Sequence, residues 1–196
     1  MANIIEKRIS TLEKMMKDLI YVHTQNQIEF KEFKDEMKEF KDEMKEFKKE
    51  INKKWGDLSN SMGMLVENIV LPNLRSIGEK YFGLKRCLTF NSRVEKYSPN
   101  NEIKEFDGIV EYDKAVILNE TKSKVKIDYI NEYIDFIESG LFFEYFPEYK
   151  KKKLIPIFSS LYISENYIKK LTKHKIYCMA MSEDSMELLN FNDIKK

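Results

Sequence analysis

Four residues carry chemistry by type and spacing: Asp107, and then Glu120, Thr121 and Lys122. Side chains two apart on a strand share a face, so Glu120 and Lys122 project together with Thr121 opposed. Asp107 lies in IKEFDGIVEY (103–112) and Glu120 in AVILNETKS (115–123), with Asp113-Lys114 as a tight turn between them. Asp107 is six residues before Asp113 and Glu120 is six after Lys114. A hairpin therefore sets two carboxylates abreast with one ammonium beside them. Close carboxylates repel, a divalent cation relieves them, and oxygen ligands suit Mg²⁺ or Mn²⁺. The Thr121 carbonyl is a candidate third ligand, and Glu67 adds a carboxylate if its helix packs beside the sheet. A metal there would acidify water and stabilise charge on a phosphate in flight. The Lys122 ammonium would orient that water or stabilise the same charge. The same residue types also fit a plainer role as surface salt bridges near strand ends.

The elements that must position these residues follow from the surrounding pattern. Residues 58–82 carry Leu58, Met62, Leu65, Val66, Ile69 and Val70 at helical spacing, with Pro72 expected to kink or end the helix. LKRCLTF (84–90) reads as a short strand, and Ser-Pro-Asn-Asn within 92–102 as a turn. After the hairpin, 127–146 reads as an aromatic-rich helix or helix pair broken near Gly140. Then come a buried strand at 153–161, a helix at 164–174 with Ser164 as N-cap, a strand at 175–181, and an edge strand or short helix at 186–191. Strands and helices alternating in this way predict a mixed sheet with helices on its faces.

The first fifty residues are different. Residues 31–51 read KEFKDEM, KEFKDEM, KEFKKEI, and Phe33, Met37, Phe40, Met44, Phe47 and Ile51 are spaced 4, 3, 4, 3, 4. The register runs back through Phe30, Asn26, His23, Leu19, Met16, Leu12, Ile9 and Ile5. A helix with that period must wind against another to hide its seam. Fifty residues make a rod of roughly 75 Å. His23 and Asn26 fall on the seam, where polar residues cost stability and fix register or oligomer number. Trp55-Gly56-Asp57 interrupts the heptads.

Composition narrows the function classes. Lys and Arg number 34 against 33 Asp and Glu, for a net charge of +1. That excludes a protein coating nucleic acid by bulk charge. Through Lys54 there are 13 Lys and Arg against 12 Asp and Glu, so the charges of the rod alternate along a solvated helix face. Two cysteines exclude a disulfide framework and a four-cysteine zinc site, and two histidines exclude a histidine-rich one. No apolar run reaches the roughly 20 residues needed to span a bilayer. No signal sequence opens the chain, and a soluble, cytoplasmic protein is expected. Lys150, Lys151, Lys152 and Lys153 form a basic run that reads either as a phosphate contact or as a solubilising loop.

Asp107, the 13-residue step to Glu120, and Glu120-Thr121-Lys122 resemble the signature of the PD-(D/E)xK, or restriction-endonuclease-like, nuclease superfamily. The order helix, three strands, helix, strand matches that family's core. More narrowly, the chain resembles a prokaryotic group in the superfamily that joins an N-terminal coiled coil to a nuclease-like domain. Trp55-Gly56, LVENIVLPNL (65–74), EFDGIVEYDKAVILNETKS (105–123) and FFEYFPEYKKKKLIPIFSSL (142–161) carry that likeness. The resemblance implies Asp107 and Glu120 as metal ligands, Lys122 as the catalytic lysine and Glu67 as the acidic residue of the first helix. It implies Mg²⁺ or Mn²⁺ as cofactor and nucleic acid as substrate, DNA by family analogy alone. Phe106 stands where the motif has proline. Tyr129 and Asn131 are the candidates for an extra polar residue on the helix after the lysine.

The expected fold is α/β: a mixed central sheet flanked by helices, a restriction-endonuclease-like core, after a long coiled-coil helix. The expected domains are 1–54 and 55–196. The expected function is a metal-dependent nuclease made a homo-oligomer, a dimer, by its coil. The alternative is a catalytically silent nuclease-fold module whose coil recruits partners.

Overall fold

The computed structural model describes residues 2–195. They divide into two units, Met1–Asp57 and Leu58–Lys196. In the first unit every described residue is helical, within α1 (Ala2–Phe82). Trp55-Gly56-Asp57 breaks the seven-residue pattern but not the helix. Phe33, Met37, Phe40, Met44 and Phe47 are each between 48% and 57% exposed, so the seam lies open along the helix.

In the second unit, α1 from Leu58 onward is a core element. Val66, Val70, Leu74 and Ile77 recur at three- and four-residue steps and are all buried. Pro72 lies inside the helix and does not end it. The Asn73 side chain donates to the Ile69 carbonyl at 2.8 Å in the same stretch, and burial of Val70, Leu71 and Leu74 holds the turns around it.

Six strands follow: β1 (Cys87–Tyr97), β2 (Ile103–Tyr112), β3 (Ala115–Thr121), β4 (Lys153–Ser159), β5 (Tyr177–Ser182) and β6 (Ser185–Leu188). They form one sheet in sequence order, antiparallel from β1 to β3, parallel from β3 to β5, and antiparallel at β6. Helices α2 (Ile127–Glu138), α3 (Phe142–Tyr145), α4 (Glu165–Lys173) and α5 (Phe191–Lys195) complete the unit. One buried cluster joins α1 to Val110, Ile117, Ile157 and Met179. A second joins α2, α3 and α4 to Ile109, Val116, Leu118 and Phe158. The sheet is thus covered on both faces, and each large side chain it buries contributes about 1.5–3 kcal/mol. Phe142, Tyr145 and Phe146 belong to the second cluster, so the aromatic run is core.

Two expectations needed adjustment. β1 runs on to Tyr97, through Arg93, Glu95 and Lys96, and the turn occupies only Ser98–Asn101. An outer strand has one free edge and a half-exposed face, so charges do not end it. The last segment is both a strand, β6, and a short helix, α5.

Candidate functional site

Gly108 pairs with Asn119 across β2 and β3, and the same register one step further sets Asp107 opposite Glu120. The spacing from the turn therefore placed the two carboxylates correctly. Two features lock Asp107. Its Oδ2 accepts the Thr121 backbone N–H at 2.6 Å. Its neighbour Gly108 lies under α1, where an added Cβ would meet Leu71 Cδ2 at 2.7 Å and Leu74 Cδ1 at 3.0 Å. Any side chain there would push helix from strand beside the carboxylate.

Lys122 Nζ donates to Glu120 Oε1 at 2.5 Å, and its backbone N–H donates to the Ser159 carbonyl at 3.0 Å. The β3–β4 ladder thus extends one residue past the end of β3. Burial raises the Asp107 carboxyl to about 7, the Glu120 charge adds to the rise, and the Thr121 N–H and Lys122 ammonium pull against it. For Lys122, burial opposes the charge, but Glu120, Asp107 and Tyr129 outweigh it and hold the lysine above its ordinary range. The Lys122 ammonium lies 5.6 Å from the Tyr129 ring centre. Asn131 is taken by Lys170, which donates to its Oδ1 and ties α4 to α2.

Glu67 is not a third member of this pair. Its Oε2 accepts from Arg93 Nε at 2.5 Å. Among the described residues no three His, Cys, Asp or Glu side chains converge as a ligand set. The Glu67 charge still reaches Asp107, as the weakest of the effects raising its pKa. The donors at hand are two carboxylates with the Thr121 main chain beside them. Such a set fits Mg²⁺ or Mn²⁺, hard ions that take oxygen ligands, Mg²⁺ in particular keeping several waters. Burial first, and then repulsion from Glu120, raises Asp107, and a cation would offset both.

Three further residues shape the site without a sequence signal strong enough to mark them. Arg93 has φ 52°, a left-handed kink in β1, and falls between the pairs Ser92–Gly108 and Val94–Phe106, opposite Asp107. Its charge is favoured first by Glu67, against burial, and then by Glu105 and Asp107. Asn119 and Ser159 are fully buried beneath the site. Asn119 Nδ2 donates to Thr121 Oγ1 at 2.7 Å, and Ser159 Oγ donates to Asn119 Oδ1. This chain of bonds ties β3 to β4 and orients Thr121, whose N–H holds Asp107. A polar residue in an apolar strand pattern was the available signal for Asn119.

The lysine run is elsewhere. Lys153 pairs with Ala115, at the start of β3, whereas Glu120 pairs with Phe158. That separation is roughly 17 Å along the strands at about 3.3 Å per residue. Lys152 is occupied there, donating to Glu111 Oε1 at 2.8 Å and to the Tyr112 carbonyl at 2.6 Å. The basic and hydroxyl groups near the site are instead those of Ser123, Lys124, Ser160, Tyr162 and Ser164, which line a cleft of about 280 Å³.

No protein-family model and no curated protein matches the sequence. Among solved structures, the chain is similar to Can2 from Sulfobacillus thermosulfidooxidans, solved in complex with cyclic tetra-adenylate. The two are 18% identical, with a TM-score of 0.39, over 57% of this chain and 30% of that one. It is also similar to the small subunit of the heterodimeric restriction endonuclease R.BspD6I. There the identity is 15% and the TM-score 0.31, over 56% of this chain and 59% of that one. Both likenesses are weak in overlay, and the chemistry of the site rests on its own geometry. Among the described residues no helix is long and apolar enough to cross a membrane.

Proposed function

We propose that residues 55–196 form a metal-dependent nuclease of the PD-(D/E)xK type. It hydrolyses nucleic-acid phosphodiester bonds, DNA being the expected polymer, and residues 1–54 join copies of the chain as a coiled coil. The observation that carries the nuclease reading is the placement of Asp107 and Glu120 abreast on adjacent strands with Lys122 on Glu120. Asp107 and Glu120, with the Thr121 carbonyl, would hold a Mg²⁺ or Mn²⁺ ion. When bound, the ion supplies charge stabilisation to the phosphate and makes water acidic enough to attack near neutral pH. The chain's own residues do the rest. The Thr121 N–H fixes one Asp107 oxygen. Lys122 carries a permanent positive charge beside the scissile group, where it stabilises developing negative charge. Lys124 and the hydroxyls of the adjoining cleft suit the polymer's phosphates, a role the distant lysine run is not placed to serve.

The test is cleavage of mixed DNA and RNA at low salt with Mg²⁺, Mn²⁺ or EDTA, for wild type and for Lys122→Ala and Asp107→Asn. Metal-dependent cleavage by wild type that both variants lose supports the reading. Absence of cleavage in every condition, together with absence of Mn²⁺ binding in calorimetry, removes it.

A second reading is an assembly module that keeps the fold without hydrolysis. It is favoured by the engagement of Glu67 with Arg93, which leaves two carboxylates where a third was expected. It predicts a protein that self-associates through residues 1–54 and binds neither metal.

A further inference from the structure

The open seam of the first unit is flanked by charges in a fixed order. Written as heptads abcdefg, Met37, Met44 and Ile51 occupy a, and Phe33, Phe40 and Phe47 occupy d. Position e is then lysine three times over, at Lys34, Lys41 and Lys48. Position g is glutamate, at Glu29, Glu36 and Glu43. The ion pairs within this helix, Asp42–Lys45 and Glu46–Lys49, lie on its b, c and f positions. Among the described residues, these e and g side chains form no ion pair in the chain; Lys34 lies 5.5 Å from the Phe30 ring centre, and the six charges flank an exposed apolar stripe.

From this pattern we infer that the seam is closed by a second copy of the chain, parallel and in register. In a parallel coil each g residue meets the e residue five positions on in its partner. Here that gives Glu29 with Lys34, Glu36 with Lys41 and Glu43 with Lys48, every contact attractive and each made twice. In an antiparallel coil e meets e and g meets g: residues 29–51 paired with themselves set lysine on lysine and glutamate on glutamate, and pairing over the whole segment, which sets Lys41 and Lys48 by Glu13 and Glu6, faces His23 and Asn26 with Phe33 and Phe30. The polar seam residues select the register. In register, His23 faces His23 and Asn26 faces Asn26. A slip of one heptad, which the repeated KEFKDEM alone would tolerate, sets them against Phe30 and Phe33. An anionic lipid surface is a poorer occupant, because a row of glutamates runs along one flank of the stripe. Parallel pairing brings residue 57 of both chains to the same end of the coil. This inference rests on the self-association part of the proposed function and not on its nuclease part.

The experiment uses the full chain and a charge-swapped version carrying Glu29→Lys, Glu36→Lys, Glu43→Lys, Lys34→Glu, Lys41→Glu and Lys48→Glu. Each version alone keeps attractive g–e contacts in a parallel pair. A mixed pair is repulsive at all of these g–e contacts if parallel, and is not so if antiparallel. The two are unfolded together in urea, refolded and weighed by native mass spectrometry, with circular dichroism to check helix content. Self-sorting is expected, with the mixed dimer about tenfold or more below its statistical share. A statistical or dominant mixed dimer overturns the parallel arrangement. A monomeric wild type overturns self-association itself, whatever the cleavage assay gives. Should the swapped chain not refold, Met44→Cys in the otherwise natural chain reads the orientation directly. Oxidation should join the two introduced thiols to each other, and a dimer without that cross-link overturns the proposal.

Discussion

Beside each end of β3 a lysine is bonded to a glutamate, and the two pairs behave in opposite ways. At the start of the strand, Lys152 holds Glu111, which also accepts from Thr89 Oγ1 at 2.9 Å. One carboxylate faces one ammonium, and the Lys152 bond holds Glu111 below the usual carboxylate range. At the other end, Lys122 holds Glu120, but Asp107 is packed against the same pair and is driven up to about 7. An ion pair that closes its own charge balance is architecture. One that leaves a second carboxylate over, buried and locked by a backbone N–H, maintains a deficit of positive charge that a cation can fill. The distinction lies in the count of charges and in Asp107, not in the lysine–glutamate bond that both ends share.

The comparison breaks most visibly on cleavage. Lys122→Ala is expected to lower metal-dependent cleavage about a thousandfold, near the upper loss seen when a preorganised charge-stabilising donor is removed. Lys152→Ala should leave the rate within about twofold, because it touches no group at the site. Equal losses in the two variants would erase the difference between the ends.

Stability against pH sharpens the contrast. Folded Asp107 binds its proton more tightly than the unfolded chain does, so it costs stability as pH rises from its ordinary 3.8 through about 7. Glu111 has the reverse sign: its contribution is present above its ordinary 4.5 and is lost as pH falls through its lower folded value. In EDTA, the melting temperature of Asp107→Asn should therefore gain on wild type between pH 5 and pH 8, each an approximate bracket of that window. Added Mn²⁺ should stabilise wild type and not the variant. Parallel melting curves across that range would count against the raised carboxyl.

Smaller effects follow. Lys152→Ala should cost about 1–2 kcal/mol in urea denaturation, since it leaves a mostly buried carboxylate without its partner. Asn119→Ala should cost a similar amount, about 1–3 kcal/mol, and also weaken Mn²⁺ binding, because Thr121 loses its brace. Arg93→Ala should change stability little, as its pair with Glu67 is partly exposed. It should, however, raise the Asp107 pKa further, because a favourable positive charge is lost and Glu67 is freed to turn toward it, and NMR titration of the carboxyls would report the change.

Much of this is legible in the sequence alone. Counting from Asp113-Lys114 placed Asp107 against Glu120, because a tight two-residue turn fixes register and register fixes faces. The heptads announced the first unit because seven-residue periodicity is written in a single stretch of chain. Arg93 was not legible. It sits in a charged segment that reads as a turn until the outer strand is known, and its left-handed backbone has no glycine to announce it. Ser159 looked like the polar end of a buried strand, and its partnership with Asn119 spans forty residues. Lys152 shows the converse: a run of four lysines suggests a patch, yet one member is folded inward to close a local charge balance.

The sheet is open on both sides, and open edges invite other chains to add strands. β6 is only four residues long, and β1 presents Arg93, Glu95 and Lys96 along eleven residues with a kink in the middle. A short edge gives little template, and a charged, kinked one resists a flat neighbour. Crowded copies of this protein should therefore stay dispersed rather than stack into fibrils. Replacing Arg93, Glu95 and Lys96 by valine, threonine and valine would test that protection in a thioflavin assay.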